Sequence, residues 1–131
     1  MSTYRNSITL KGFLGRDAEL HVNTNQTPFA VLSLATKSTH RNRQTGEFVA
    51  HTEWHRVIAN GRLVESAKSL LKGAHVEIQG RLQSYRYEDN AGVQRRVWEV
   101  RASAVTHLER VAGDEEEESL DTTPAEEDTP G

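Results

Sequence analysis

Cysteine is absent from the 131 residues, which excludes a disulfide framework, a thiolate nucleophile and a cysteine-based zinc site. Long apolar runs are also missing, since no stretch approaches the roughly 18 apolar residues that a membrane-spanning helix needs. The opening sequence, MSTYRNSITL, lacks the apolar segment of a secretory signal. From these absences we expect a cytoplasmic protein without a membrane partner.

Acidic residues are unevenly distributed along the chain. Residues 114–131 contain nine of the 19 Asp and Glu side chains and none of the 16 Lys and Arg side chains. Residues 1–113 therefore carry 16 basic against ten acidic side chains, a net charge of +6, and the remainder carries −9. We predict a folded basic domain over residues 1–112 and a disordered acidic tail over residues 113–131. A basic domain favours a polyanionic partner.

Short stretches of alternating apolar and polar residues dominate the domain and favour strands. Helical spacing is convincing only over residues 62–72, where Gly73 can end the helix. A turn is predicted at residues 88–92. Three strands, one helix and two strands are the order of an all-β, five-stranded OB-fold barrel with one helix between strands 3 and 4. The predicted strands lie near residues 8–12, 29–36, 52–59, 76–82 and 97–105.

Aromatic and cationic residues alternate on two of these strands. Period-two spacing places Trp54 and Arg56 on one face of the third predicted strand, and Tyr85 and Tyr87 on one face near the end of the fourth. Rings that stack on bases and cations that contact phosphates bind nucleic acid without sequence preference. The alternative is that Trp54 belongs to the core and the cations are ordinary surface groups. Spacing alone leaves both interpretations open.

Several linked motifs resemble the bacterial single-stranded DNA-binding protein family. The similarity covers about residues 4–110, in order. It implies an OB-fold homotetramer, associated with the nucleoid, that protects single-stranded DNA during replication, recombination and repair. It implies neither an enzyme nor a cofactor. The motifs are NSITLKG at 6–12, LGRD at 14–17, LAT at 34–36, TEWHRVI at 52–58, LKG at 71–73 and V-x-I-x-G-x-L at 76–82.

The resemblance also implies a set of DNA-binding residues. Trp54 matches a stacking tryptophan of the family, His40 stands where the family usually has another, and Tyr87 stands where it has a third aromatic. Asn60 stands where the family often has Phe, so we expect binding that depends more on cations. Tyr85 occupies a place where the family commonly has a cation and adds a ring. The implied cations are Arg5, Arg41, Arg43, Arg56, Arg62, Lys72 and Arg86.

The acidic tail implies protein partners through the same resemblance. In the family the tail usually ends with acids, an apolar residue, Pro and a terminal Phe, and this tip inserts into pockets on replication and repair proteins. Here Thr129 and Gly131 replace the apolar anchor. The residues that match the partner-binding tip are Glu126, Glu127, Asp128 and Pro130.

Two other functions compete with DNA binding. The first is a zinc-dependent enzyme, because the segment HTEWH at residues 51–55 superficially resembles the catalytic zinc motif H-E-x-x-H. Its Glu is, however, displaced by one position. In a strand, residues four apart lie about 13 Å apart, so one metal cannot bridge the two His residues directly. We therefore expect no metal site. The second competitor is an OB protein-interaction module, such as a primosome accessory subunit, and Asn60 and His40 leave that interpretation open.

Overall fold

The computed structural model describes residues 3–108, which form six strands and one short helix. The helix, α1, lies between the fourth and fifth strands. No helix in this part of the chain is long and apolar enough to cross a membrane. The predicted acidic tail and its tip lie outside the described residues. The elements are β1 Ile8–Leu14, β2 Glu19–Val22, β3 Pro28–Arg41, β4 Phe48–Asn60, α1 Leu63–Ala67, β5 His75–Glu88 and β6 Gln94–His107.

Five of the strands close into a barrel in the order β1, β5, β6, β4, β3. The ring closes where β3 returns to β1 through the antiparallel pairs Phe13–Ala35 and Leu14–Leu34. Gly12 permits this closure, because a Cβ there would overlap the carbonyl oxygen of Ala35. The short β2 pairs with β3 outside the ring. Because β2 is not part of the ring, α1 lies between the third and fourth strands of the barrel, which are β4 and β5. This order confirms the predicted OB-fold.

The core follows from the alternation of side chains along the strands. Leu32 and Leu34 of β3, Val57 of β4, and Val76 and Ile78 of β5 are each at most 1% exposed. Complete burial of such side chains contributes about 1.5–3 kcal/mol each. The barrel interior is thus a packed apolar core, and alternation turns the intervening side chains outward.

The predicted helix over residues 62–72 is wrong beyond Ala67. The turn after β1 binds the backbone that follows α1. The carbonyl of Leu70 accepts a hydrogen bond from the N–H of Ala18 at 2.9 Å. The backbone N–H of Lys72 donates to the carboxylate of Asp17 at 2.8 Å. These tertiary contacts hold the chain in turns where the sequence pattern favours more helix.

The strands differ from the prediction in number and in length. Alternation does not predict β2, because all four of its residues are exposed. The β3–β4 and β5–β6 hairpins are longer than expected, since each contains strands of 13 or 14 residues. Pairs near the hairpin ends, such as His40–Val49 and Tyr87–Arg95, are exposed. The predicted turn at residues 88–92 is confirmed between β5 and β6.

Candidate nucleic-acid interface

An open groove of about 490 Å³ lies on the outer face of the barrel. On β4, Val57 and Ala59 face the core, so alternation turns Arg56, Ile58 and Asn60 outward to line the groove. Neighbouring strands complete its walls. They contribute Phe29 from β3, Tyr85 from β5, and Glu99 and Arg101 from β6, while the turn before β3 adds Asn23 and Thr27.

A polar network connects the floor of the groove to β5. Glu99 is only 7% exposed, and its carboxylate lies 3.5 Å from Nε of Arg56. The amide of Gln83 donates to the same carboxylate at 3.2 Å and accepts a hydrogen bond from Arg101 at 3.2 Å. A buried carboxylate requires such partners. The network therefore holds Arg56 in the groove, while 43% of its side chain stays accessible to a ligand.

Trp54 lies on the outer face of β4, as the spacing predicts. Its cross-strand partner is Ala35, and its indole ring rests against Gly15, where a Cβ would overlap the ring. The ring is half-buried, and its Nε1 is buried without a hydrogen-bond partner among residues 3–108. Trp54 is thus a half-buried residue of the outer face and not a fully buried core residue.

The two predicted tyrosines lie together on the outer face of β5. Tyr85 and Tyr87 are 44% and 46% exposed, and their ring centroids are 6.4 Å apart at an angle of 43°. Tyr85 lines the groove, and Tyr87 continues this surface towards the end of the hairpin. Exposed rings in this arrangement offer flat apolar surface for nucleobases.

Two predicted contacts lie on the opposite face of their strands. His40 alternates with Arg41 on β3, and the register places Arg41 on the side of Trp54. Arg86 alternates with the tyrosines of β5, on the side of the exposed Trp98. The structure therefore separates His40 and Arg86 from the groove face.

The other predicted cations are exposed at different ends of the barrel. Arg41 and Arg43 occupy the end of the β3–β4 hairpin, and Arg62 immediately precedes α1. Lys72 lies in the turn before β5. Arg5 lies before β1, next to Asn6, whose side chain bonds the backbone of β5. None of these five lines the groove.

The histidines of the HTEWH segment contact different partners. Nε2 of His51 lies 2.7 Å from the carboxylate of Glu53. Nε2 of His55 lies 2.8 Å from the hydroxyl of Thr36 on the neighbouring strand. Burial lowers the pKa of His55, and the nearby Glu53 carboxylate partly opposes this shift. Within residues 3–108, no group of three or more His, Asp or Glu side chains could hold a metal ion.

Sequence reasoning missed Phe29, Glu99 and Arg101 as groove residues. Phe29 lies within an apolar stretch that predicts a strand, and Glu99 and Arg101 lie in the last predicted strand. The signal that could have identified Glu99 is a charged residue in the middle of a strand that is otherwise largely apolar. The register that brings Phe29 opposite Asn60 is a tertiary property.

The architecture and the outer groove define an OB-fold protein whose candidate binding surface combines rings with cations. Residues 5–108 match the Single-strand binding protein family. The chain therefore belongs to this family.

Two solved structures are similar to this chain. The Plasmodium falciparum SSB in complex with ssDNA has a TM-score of 0.73 and 26% identity, over 83% of this chain and 99% of that chain. A deletion mutant of the single-stranded DNA-binding protein from Thermus aquaticus has a TM-score of 0.70 and 24% identity, over 80% of this chain and 51% of that chain. The second similarity supports the fold alone.

Proposed function

We propose that this protein binds single-stranded DNA without sequence preference and protects strands exposed during replication, recombination and repair. The observation that carries this function is the convergence of exposed Tyr85 and accessible Arg56 in one open groove. Stacking accommodates any base, because every base has a flat face, and Arg56 can neutralise a phosphate. Binding of this kind needs no catalytic step, and strand protection then follows by mass action.

The groove favours a single strand over a duplex. Base faces become accessible to Tyr85 and Tyr87 only when the bases are unpaired and unstacked from their complement. The cations at the end of the β3–β4 hairpin, Arg41 and Arg43, extend the positive surface beyond the groove. We assign the DNA-binding domain to residues 1–112.

The deciding experiment is a binding titration with fluorescein-labelled oligothymidylate and with duplex DNA of equal length. We expect tight binding of the single strand, quenching of tryptophan fluorescence, and a steep fall of log K with log salt. Duplex binding as tight as single-strand binding at moderate salt would contradict the proposal. It would favour the protein-interaction module as the role of this barrel.

We propose a homotetramer as the functional assembly. One OB-fold binds about 4–16 nucleotides, so four linked barrels would gain affinity through a higher effective concentration. Family membership supports this assembly. Light scattering is expected to give four times the 14.7 kDa chain mass at micromolar concentration, and the chain mass itself would contradict the tetramer.

We propose two roles for the acidic tail, residues 113–131. Its acids compete with DNA phosphates for the basic domain. The second role is docking of replication and repair proteins through Glu126, Glu127, Asp128 and Pro130, with reduced affinity because Thr129 and Gly131 offer no apolar anchor. Thr129→Ile combined with Gly131→Phe is expected to strengthen that docking and to leave DNA binding unchanged. Pull-down of replication proteins and oligothymidylate titration measure the two effects separately.

A further inference from the structure

Three side chains form a row across neighbouring strands at one end of the groove. His21 of β2 pairs directly with Phe29 of β3, and Phe29 pairs on its other side with Asn60 of β4. Direct cross-strand partners project from the same face of a sheet, with Cβ atoms about 4.5–5.5 Å apart. Phe29 and Asn60 line the groove together with Arg56.

The rings of His21 and Phe29 form a stacked pair. Their centroids are 5.5 Å apart and their planes differ by 18°. Nε2 of His21 lies 3.1 Å from the carboxylate of Glu19, which in turn lies 3.8 Å from Arg16. His21 therefore has a partner on its own strand that orients its ring against Phe29. The orientation of Phe29 is fixed from the side that faces away from the groove.

The barrel core does not account for the position of Phe29. Within residues 3–108, Phe29 is neither in the buried cluster nor among the partly buried apolar side chains that pack against it. Its neighbours in the groove wall include the polar side chains of Asn23, Thr27 and Asn60. A half-buried ring that lines an open groove and stacks on a second ring keeps apolar surface for a flat ligand.

We propose that the His21–Phe29 pair is a stacking platform for one nucleobase of the bound strand. The amide of Asn60, next in the row, provides a donor and an acceptor for the edge of the same base. Arg56 lies four residues before Asn60 on β4, about 13 Å from it. It contacts a phosphate of another nucleotide in the bound DNA strand. This inference rests on the proposed single-strand binding and adds a defined subsite to it.

Phe29→Leu tests the platform, because Leu keeps an apolar side chain and removes the ring. We expect oligothymidylate to bind about 5- to 150-fold more weakly, as for loss of one base stack. Phe29→Tyr keeps the ring and is expected to bind like wild type. His21→Ala leaves Phe29 without its stacking partner and is expected to weaken binding about two- to tenfold.

Phe13→Leu is the matched control. Phe13 also stacks on a histidine, His75, with centroids 4.4 Å apart, but it does not line the groove. The same substitution is expected to leave affinity within about twofold of wild type. Thermal unfolding of both variants shows whether either loses the fold.

The salt dependence separates stacking from charge contacts. Phe29→Leu is expected to lower K at every salt concentration and to leave the slope of log K against log salt unchanged. Arg56→Gln is expected to reduce that slope by about 0.7, the value for one phosphate contact on a single strand. A slope change in Phe29→Leu would indicate rearrangement of the cations and would contradict a stacking role.

Moving the ring by one position tests the platform in a second way. Because Asn60 is the direct cross-strand partner of Phe29, Asn60→Phe in the Phe29→Leu background places a ring beside the lost one. We expect this double variant to recover part of the lost affinity, because it restores a ring but removes the amide of Asn60. Wild-type affinity in Phe29→Leu, with Trp54→Ala weakened, overturns the platform and leaves the proposed function intact. Failure of wild type to prefer single strands overturns the proposed function itself.

Discussion

The two long hairpins end in turns of similar design but different charge. In the β3–β4 turn, the side-chain oxygen of Asn42 accepts hydrogen bonds from two backbone N–H groups. In the β5–β6 turn, Oδ1 of Asp89 accepts two in the same way, and its Oδ2 accepts a third from Nε of Arg95 at 2.9 Å. A neutral Asn thus does in one turn what a carboxylate with its own cation does in the other.

The cations of the two hairpins also differ in the partners that they would have to exchange for a phosphate. Arg95 pairs with Asp89, and Arg96 donates to Ser84 at 2.8 Å and lies 5.7 Å from the ring centroid of Trp98. Arg41 and Arg43 make no ion pair with the residues that the structure describes. We infer that the β3–β4 hairpin contributes more to phosphate binding than the β5–β6 hairpin.

The largest expected difference between the hairpins is in their tryptophans. Trp54→Ala is expected to weaken oligothymidylate binding by about 1–3 kcal/mol, because a stacking ring on the groove face is lost. Trp98 belongs to the β5–β6 hairpin, is 55% exposed and faces the other side. Trp98→Ala is the matched control and is expected to change affinity little. Equal losses in fluorescence anisotropy titrations would show that both faces of the hairpins bind DNA.

The second difference concerns the salt dependence of binding. Arg41→Gln combined with Arg43→Gln is expected to reduce the slope of log K against log salt by about 1.4, the value for two phosphate contacts on a single strand. Between 50 and 200 mM salt, this corresponds to about a sevenfold change in relative affinity. Arg95→Gln combined with Arg96→Gln removes the same charge from the other hairpin. We expect a smaller slope change there, and a larger one would reverse the comparison.

The fold was predictable because alternation is local and strong in this chain. Val76, Ile78 and Leu82 indicate a strand without any tertiary information, and the turn at residues 88–92 has the composition of a hairpin. The end of α1 was not predictable in this way. It depends on Asp17, which lies 55 positions before its partner Lys72 in the chain.

The candidate site was predictable only in part. Trp54 and Arg56 share a face because they are two residues apart on one strand, and the structure places both on the outer surface. The position of Phe29 in the groove could not be predicted from spacing within one strand, because it depends on the register of β3 with β4. The same register places His40 on the face opposite Trp54, which spacing within one strand cannot indicate.

The acidic tail provides a third test of the cations of the basic domain. Deletion of residues 114–131 removes nine acids and is expected to strengthen oligothymidylate binding a few-fold at low salt. We expect the tethered acids to compete at high effective concentration, and screening lengths fall from about 30 Å at 0.01 M to about 3 Å at 1 M salt. The gain should therefore disappear at high salt.

If the tail competes for the β3–β4 hairpin, its deletion should gain less in the Arg41→Gln, Arg43→Gln background than in the wild-type background. Anisotropy titrations of the four proteins at two salt concentrations measure this coupling. Equal gains in both backgrounds would place the tail's target elsewhere on the basic domain, and no gain at low salt would contradict competition by the tail.

The smallest expected effect is a difference in the pH dependence of the two turns. The hydrogen bond from Arg95, and then those from the backbone, hold the pKa of the Asp89 carboxyl below its usual value. A depressed folded pKa contributes stability above the unfolded value of about 3.9, and this contribution is lost as the pH falls through the folded pKa.

Asp89→Asn keeps the Oδ1 acceptor, as in the Asn42 turn, but removes the charge. Wild type should unfold at a slightly higher temperature than Asp89→Asn at pH 7, and the difference should vanish near pH 2. Glu88→Gln removes a neighbouring carboxylate that makes none of the turn's hydrogen bonds and should retain the wild-type profile. A temperature difference between wild type and Asp89→Asn that persists in acid would mean that packing, and not the carboxylate charge, distinguishes the two turns.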